Sequence, residues 1–224
     1  MRKIILTTES GADLSKEACE RHHILTVPFG LNFPDRTVDD GQIPVQEIYD
    51  FYKATKAIPK TNAVSPYQYM EFFRAAAEAE PGCEIIHVGY SSACSCSFQN
   101  AVLGVRELGD TVRVHLIDAL NVSGGLGNMV LKAAEIIEGN PDDTAEELVE
   151  KIAFRFLDDF LEGKEFDRRR IYLFYAEGAD LELMGRMKAY LEERGFEQVH
   201  VGVLGCVMTV HGGKGAIGVS ATER

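Results

Sequence analysis

Apolar and polar positions change their period several times along the chain, and each change marks an element. Residues 4–7, 24–27, 84–88 and 112–117 are short runs rich in Ile, Val and Leu, the pattern of buried strands. Between them the apolar residues recur at helical spacing. Ile48, Phe51 and Tyr52 share one face of a helix over 45–54. Ser65-Pro66-Tyr67-Gln68 joins a serine N-cap, a proline at the first helical position and a glutamine at capping-box spacing. The helix it starts runs to about residue 79, where Pro81-Gly82 breaks it. Asp13 or Ser15 caps a short helix through Arg21, and Gly139-Asn140-Pro141 closes another over 122–137. Residues 29–44, polar and interrupted by Pro34, Gly41 and Pro44, read as an extended surface segment.

Strands alternating with helices predict an α/β fold, a parallel sheet flanked by helices. Asp143 or Thr144 caps a long helix with Leu148, Ile152, Phe156 and Phe160 on its apolar face. Past about Glu150 the rhythm changes. A strand over 171–175, a helix over 180–194, a strand over 199–203 and short apolar runs at 207–210 and 216–219 predict a second, smaller α/β domain. The expected division is therefore 1–150 and 151–224.

Composition narrows the function. A net charge of -12 argues against a nucleic-acid partner and against docking on anionic lipid, since both need clustered Lys and Arg. No apolar run approaches membrane-spanning length, so no membrane insertion is expected. The opening Ile4-Ile5-Leu6 is too short for a signal peptide and reads as a strand. Five cysteines, an odd count, suit reduced thiols and a cytoplasmic location.

The chemistry concentrates in Ser91-Ser92-Ala93-Cys94-Ser95-Cys96-Ser97, a turn between the 84–88 strand and a helix carrying Ala101, Val102, Val105 and Leu108. A helix N-terminus ringed by hydroxyls suits a negative group, because its amides point outward and its dipole adds partial positive charge. Serines there equally serve as caps. Gly124-Gly125-Leu126-Gly127 lacks the third glycine of a dinucleotide fingerprint, and Lys214 lacks a phosphate-loop frame, so no cofactor is expected. These glycines read as close-packing turns. Cys94 and Cys96, without a Cys-x-x-Cys pair or an adjacent base, read as inert. His22, His23, His87, His115 and His200 have no motif context and are given no role.

Five stretches in order carry a resemblance: Thr7-Thr8-Glu9-Ser10-Gly11-Ala12-Asp13-Leu14, Pro59-Lys60-Thr61-Asn62-Ala63-Val64-Ser65-Pro66, the serine turn through Phe98-Gln99-Asn100-Ala101, Asp118 with the Gly124 turn, and His211-Gly212-Gly213-Lys214-Gly215-Ala216. Together they resemble the DegV family of fatty-acid-binding proteins, which includes the B subunits of bacterial fatty acid kinase. The resemblance implies a DegV (EDD-like) fold and a carrier that holds a fatty acid or related acyl anion by its carboxylate. It places Thr61, Ser95 and His211 on the carboxylate, with Ser92 and Cys96 alongside. It implies presentation of the ligand to a separate kinase and no catalysis by the chain itself; with the shortened 162–170 segment, either the ligand is shorter or a second copy of the chain, a homodimer, covers its tail. Departures matter too. Cys96 stands where the family has glycine, and its Cβ narrows the pocket floor. The antiparallel segment with Leu-x-x-Gly-Gly-Arg-Ile, which in the family walls the acyl chain, shrinks here to residues 162–170. The competing reading is an acyl-transfer or hydrolytic enzyme with Ser95 or Cys96 as nucleophile and His211 as base. It lacks the Gly-x-Ser-x-Gly elbow.

Overall fold

The computed structural model describes residues 3–205 and 215–224. The chain divides into two compact units, Met1–Val149 and Glu150–Arg224. The first unit runs β1 (Ile4–Glu9), α1 (Lys16–Arg21), β2 (Leu25–Val27), β3 (Gly30–Asn32), β4 (Thr37–Asp39), α2 (Val45–Thr55) and β5 (Lys60–Asn62). It continues with α3 (Pro66–Ala79), β6 (Glu84–Gly89), α4 (Ser97–Leu108), β7 (Arg113–Asp118) and α5 (Ser123–Gly139). Four strands form one parallel sheet in the order β2-β1-β6-β7. β6 has a neighbour on each side and is buried along its whole length, which explains its Ile85, Ile86 and Val88, with His87 buried among them.

Local signals act where they were read. Ser65 accepts the Gln68 amide while Gln68 Oε1 accepts the Ser65 amide at 2.9 Å, with Pro66 opening α3. This fixes the helix start and sends Tyr69 and Phe73, both 0% exposed, into the core beside Ile85 and Ala101. Ser15, not Asp13, caps α1. Asp13 instead closes a preceding 3-10 turn with φ 51° and accepts a hydrogen bond from Ser123 at 2.6 Å. Gly127 lets α5 lie against that turn, since a Cβ there would stand 2.5 Å from the Ala12 carbonyl oxygen, and Gly125 is similarly crowded by Asn121. Gly124 has open space around it, so close packing explains only two of these three glycines.

The 29–44 segment is not simply extended surface chain. β3 and β4 pair antiparallel, and β5 joins them in the order β4-β3-β5. Each strand has only three residues, and β5 is exposed throughout, so no hydrophobic alternation announced them. Side-chain bonds tie the ribbon: Asn32 donates to Asn62 at 2.7 Å and Thr37 to Asn32 at 2.8 Å.

α6 (Ala145–Leu161) runs from the first unit into the second, its start closed by a Thr144–Glu147 capping box. β8 (Phe166–Tyr175), α7 (Leu181–Glu193), β9 (Val199–Val203) and β10 (Ile217–Glu223) follow. The second unit's sheet has the order β10-β8-β9, with β9 parallel and β10 antiparallel to β8. Leu157, Leu161, Ile171, Leu173, Met184, Met187 and Leu191 form its core. β8 starts five residues earlier than its apolar run predicts. The charged stretch Asp167-Arg168-Arg169-Arg170 hid it: Asp167 accepts from Arg169, and Arg168 lies over the Phe196 ring at 4.7 Å. Only residues 162–165, with Gly163 at φ 69°, connect α6 to β8. The expected 207–210 strand lies outside the described residues.

Candidate functional site

β6 ends at Gly89, and a Cβ there would stand 2.7 Å from Phe98. The missing side chain lets α4 pack its first turn against the strand end, and residues 90–96 must bend between them. The bend is heavily bonded. The Ser91 carbonyl accepts the Cys94 amide at 3.0 Å and the Ser95 amide at 3.1 Å. Ser91 Oγ accepts the Ala93 amide at 3.3 Å. Asp118, at the end of β7, accepts the amides of Ser92 at 3.2 Å and Leu120 at 3.0 Å. The turn thus stands at the carboxyl edge of a parallel sheet, against the N-terminus of a twelve-residue helix.

Cys96 takes the N-cap position of α4 with an exposed side chain that makes no cap bond. Its Sγ accepts from Asn100 at 3.9 Å. Ser95 is half-buried, and its Oγ accepts the Ser97 amide at 3.1 Å. The hydroxyl thus accepts a backbone amide of the first turn and keeps a proton to donate outward. Ser92 is half-buried in the same bend. Cys94 is exposed as well, so neither turn cysteine is the buried small hydrophobe its residue type suggests.

Thr61 lies at the middle of β5, paired with Leu31 and exposed. Three residues on, the Val64 carbonyl accepts from Asn100 of α4 at 2.8 Å, which ties the end of this strand to the first turn of the helix. His211 lies outside the described residues.

Beneath the turn is a polar cluster that the sequence pattern did not reveal. Glu9, His87, Thr7 and Ser97 are all 0% exposed, and so is Tyr69. Glu9 Oε2 accepts the Tyr90 amide at 2.9 Å, and Oε1 accepts the Tyr69 hydroxyl at 2.5 Å. Tyr69 also meets Ser97 Oγ at 2.8 Å. His87 lies between Glu9, at 3.4 Å, and Thr7 Oγ1, at 2.9 Å. Burial alone would raise the Glu9 pKa, but the His87 charge and the bonds from His87, Tyr69 and Tyr90 together hold it below the usual carboxylate range. Burial, with the Glu9 charge second, pushes the Tyr69 phenol far above its ordinary value, so it stays a donor. The available signal was Glu9 itself, the one charged residue of the strand Ile4–Glu9.

Among the described residues, one group could offer three metal ligands: Glu84, His115 and Glu146. Arg113 lies 3.2 Å from Glu146 and 3.9 Å from Glu84, placing a positive charge where a cation would bind. No helix among the described residues is long and apolar enough to cross a membrane.

A family model described as "Uncharacterised protein, DegV family" matches residues 3–154. A DegV domain-containing protein of Clostridium perfringens is 31% identical over 193 residues, 82% of this chain and 68% of the relative. One from Deinococcus radiodurans is 31% identical over 166 residues, 71% of this chain but only 57% of its own length. Among solved structures, a fatty-acid-binding DegV family protein from Thermus thermophilus superimposes with TM-score 0.60 at 21% identity, covering 100% of both chains. The Fatty Acid Kinase B3 protein of Streptococcus pneumoniae, solved loaded with linoleic acid, gives 0.57 at 14% identity over 99% of each chain. The sheet order, the bonded serine turn and these matches agree: the chain belongs to the DegV family.

Proposed function

We propose that this protein is a lipid-binding carrier that holds a fatty acid by its carboxylate at the serine turn and presents it to a separate kinase. The observation that carries the reading is the turn itself: a rigidly bonded bend at the carboxyl edge of the sheet, with Ser95 beside the first-turn amides of α4. One carboxylate oxygen would accept from Ser95 and a first-turn amide, and charge-assisted bonds of this kind are about twice as strong as neutral ones. Thr61, Ser92, the Cys96 backbone and His211 complete the proposed shell. The solved relatives described as fatty-acid-binding support the choice of ligand, and the kinase B3 protein supports the choice of partner. A reduced, cytoplasmic setting suits the two exposed turn thiols.

The chain acts in this reading as a binding subunit. Ser95 Oγ accepts from a backbone amide and Cys96 Sγ from the Asn100 side-chain NH2, neither of which takes a proton from a nucleophile. Lipid extracted from protein purified out of cells, analysed by native mass spectrometry, tests the proposal. Stoichiometric fatty acid, lost in Ser95→Ala and Thr61→Ala, is the expected result. A covalent acyl adduct, or protein that neither retains nor binds fatty acid, overturns it.

A further inference from the structure

Glu9 is fully buried, fully bonded and has no direct line to solvent, yet each of its oxygens reaches a different end of the serine turn. Oε2 accepts the amide of Tyr90, the residue that enters the turn. Oε1 accepts the hydroxyl of Tyr69, which meets Ser97 Oγ, at the residue where the turn becomes α4. Ser97 in turn donates its amide to Ser95 Oγ. A continuous series of bonds, Glu9 to Tyr69 to Ser97 to Ser95, therefore runs from the sheet to the hydroxyl that faces the ligand. From the end of β1, the carboxylate thus bonds directly to α3 and to the residue that follows β6, and it reaches α4 through Tyr69.

We propose that Glu9 is the positioning residue of the carboxylate site, clamping entry and exit of the serine turn with its two oxygens. The inference rests on the binding reading above but not on the identity of the acyl chain. A carboxylate is needed because it offers two acceptors and no donor. Glutamine keeps one acceptor and turns its NH2 toward a second donor, either the Tyr90 amide or the Tyr69 hydroxyl, so Glu9→Gln can hold only one end. Tyr69→Phe and Ser97→Ala each cut the exit branch and leave the entry branch intact. Because they cut the same link, their effects overlap.

The test measures oleate affinity by titration calorimetry and amide hydrogen exchange by NMR in Tyr69→Phe, Ser97→Ala, the double variant and Glu9→Gln. Each single exit variant is expected to weaken oleate binding about tenfold, with the double variant no worse than either single. Exchange at the Ser95 and Ser97 amides should speed up by tenfold or more in ligand-free protein, while the β6 amides of residues 85–88 keep their protection. A loss that is only structural accelerates β6 equally and overturns the proposal, as does an additive double variant or an unchanged turn. Should Tyr69→Phe fail to fold, Ser97→Ala and Glu9→Gln carry the same comparison. If the wild-type protein binds no oleate, the binding reading fails, while selective loosening of the turn still supports the clamp.

Discussion

Adding the same methyl group at two helical glycines should move stability in opposite directions. Gly104 lies in α4, and a Cβ there would stand 2.8 Å from the Pro66 carbonyl oxygen, 2.8 Å from Tyr69 Cβ and 3.1 Å from the Met70 amide nitrogen. Two of these three atoms are backbone, so α3 and α4 must part by some tenths of an ångström. Gly185 lies in α7, exposed, with nothing within 4 Å of the position a methyl would take. Alanine improves helix propensity by about 0.8–1.0 kcal/mol at either site. Overpacking a tight contact costs about 1–3 kcal/mol. Gly185→Ala should therefore stabilise by up to about 1 kcal/mol, and Gly104→Ala should destabilise by up to about 2 kcal/mol. Urea unfolding followed by far-UV circular dichroism, fitted with one transition per unit, measures both. Equal stabilisation by the two substitutions would refute the argument that α3 and α4 are in backbone contact at Gly104. The consequence reaches the site, because α3 carries Tyr69 and α4 carries Ser97.

Other consequences are open to simple measurement. Ser65→Ala removes one half of the α3 capping box and should cost about 1 kcal/mol, with Gln68→Ala adding little once Ser65 is gone; thermal melts of the two singles and the double decide this. Glu9 has a folded-state pKa below its ordinary 4.5, so its stabilising contribution is complete above that value and is lost as pH falls through the depressed one. Wild-type stability should thus fall more steeply below pH 4.5 than that of Glu9→Gln, and parallel profiles from acid urea titrations would contradict the assignment. If the proposed carrier role holds, the short 162–165 connection between α6 and β8 would leave the far end of an acyl chain less covered. At about 0.8 kcal/mol per methylene, leaving about five uncovered forfeits about 4 kcal/mol, or roughly three decades of affinity. Calorimetry across saturated acids should show affinity levelling off with chain length, and a continued rise in a monomeric sample would exclude that reading.

What could be read from the sequence was what its nearest neighbours decide. The α3 start was legible because cap, proline and capping-box glutamine all lie within four residues. β6 was legible because burial on both sides favours Ile85, Ile86 and Val88, with His87 the one polar residue inside the run. The turn after it was legible as a place, since seven small residues, serines and cysteines around one alanine, divide a strand from a helix. Other features depend on partners far away. β5 exists because Leu31 and its neighbours pair with it, while Lys60-Thr61-Asn62 alone has no strand signal. β8 begins within a charged run whose Arg168 guanidinium packs on Phe196, a contact 28 residues distant. The role of Glu9 was hidden for the same reason, because Tyr69 and Tyr90 lie 60 and 81 residues away.

The buried acid also bears on how a protein of net charge -12 would hold the proposed anion. A lone carboxylate under the turn would repel a ligand carboxylate, and the low dielectric of the core would strengthen that repulsion. Here three donors, from Tyr69, Tyr90 and His87, point at the Glu9 oxygens. What the turn presents outward is then set by amides and hydroxyls, whose dipoles fall off over a short distance and act only on a group in contact with them. Such a site selects by fit to a small anion, not by long-range attraction. It follows that ionic strength should change the affinity of this site little, in contrast to one built on lysine or arginine, whose attraction salt would screen.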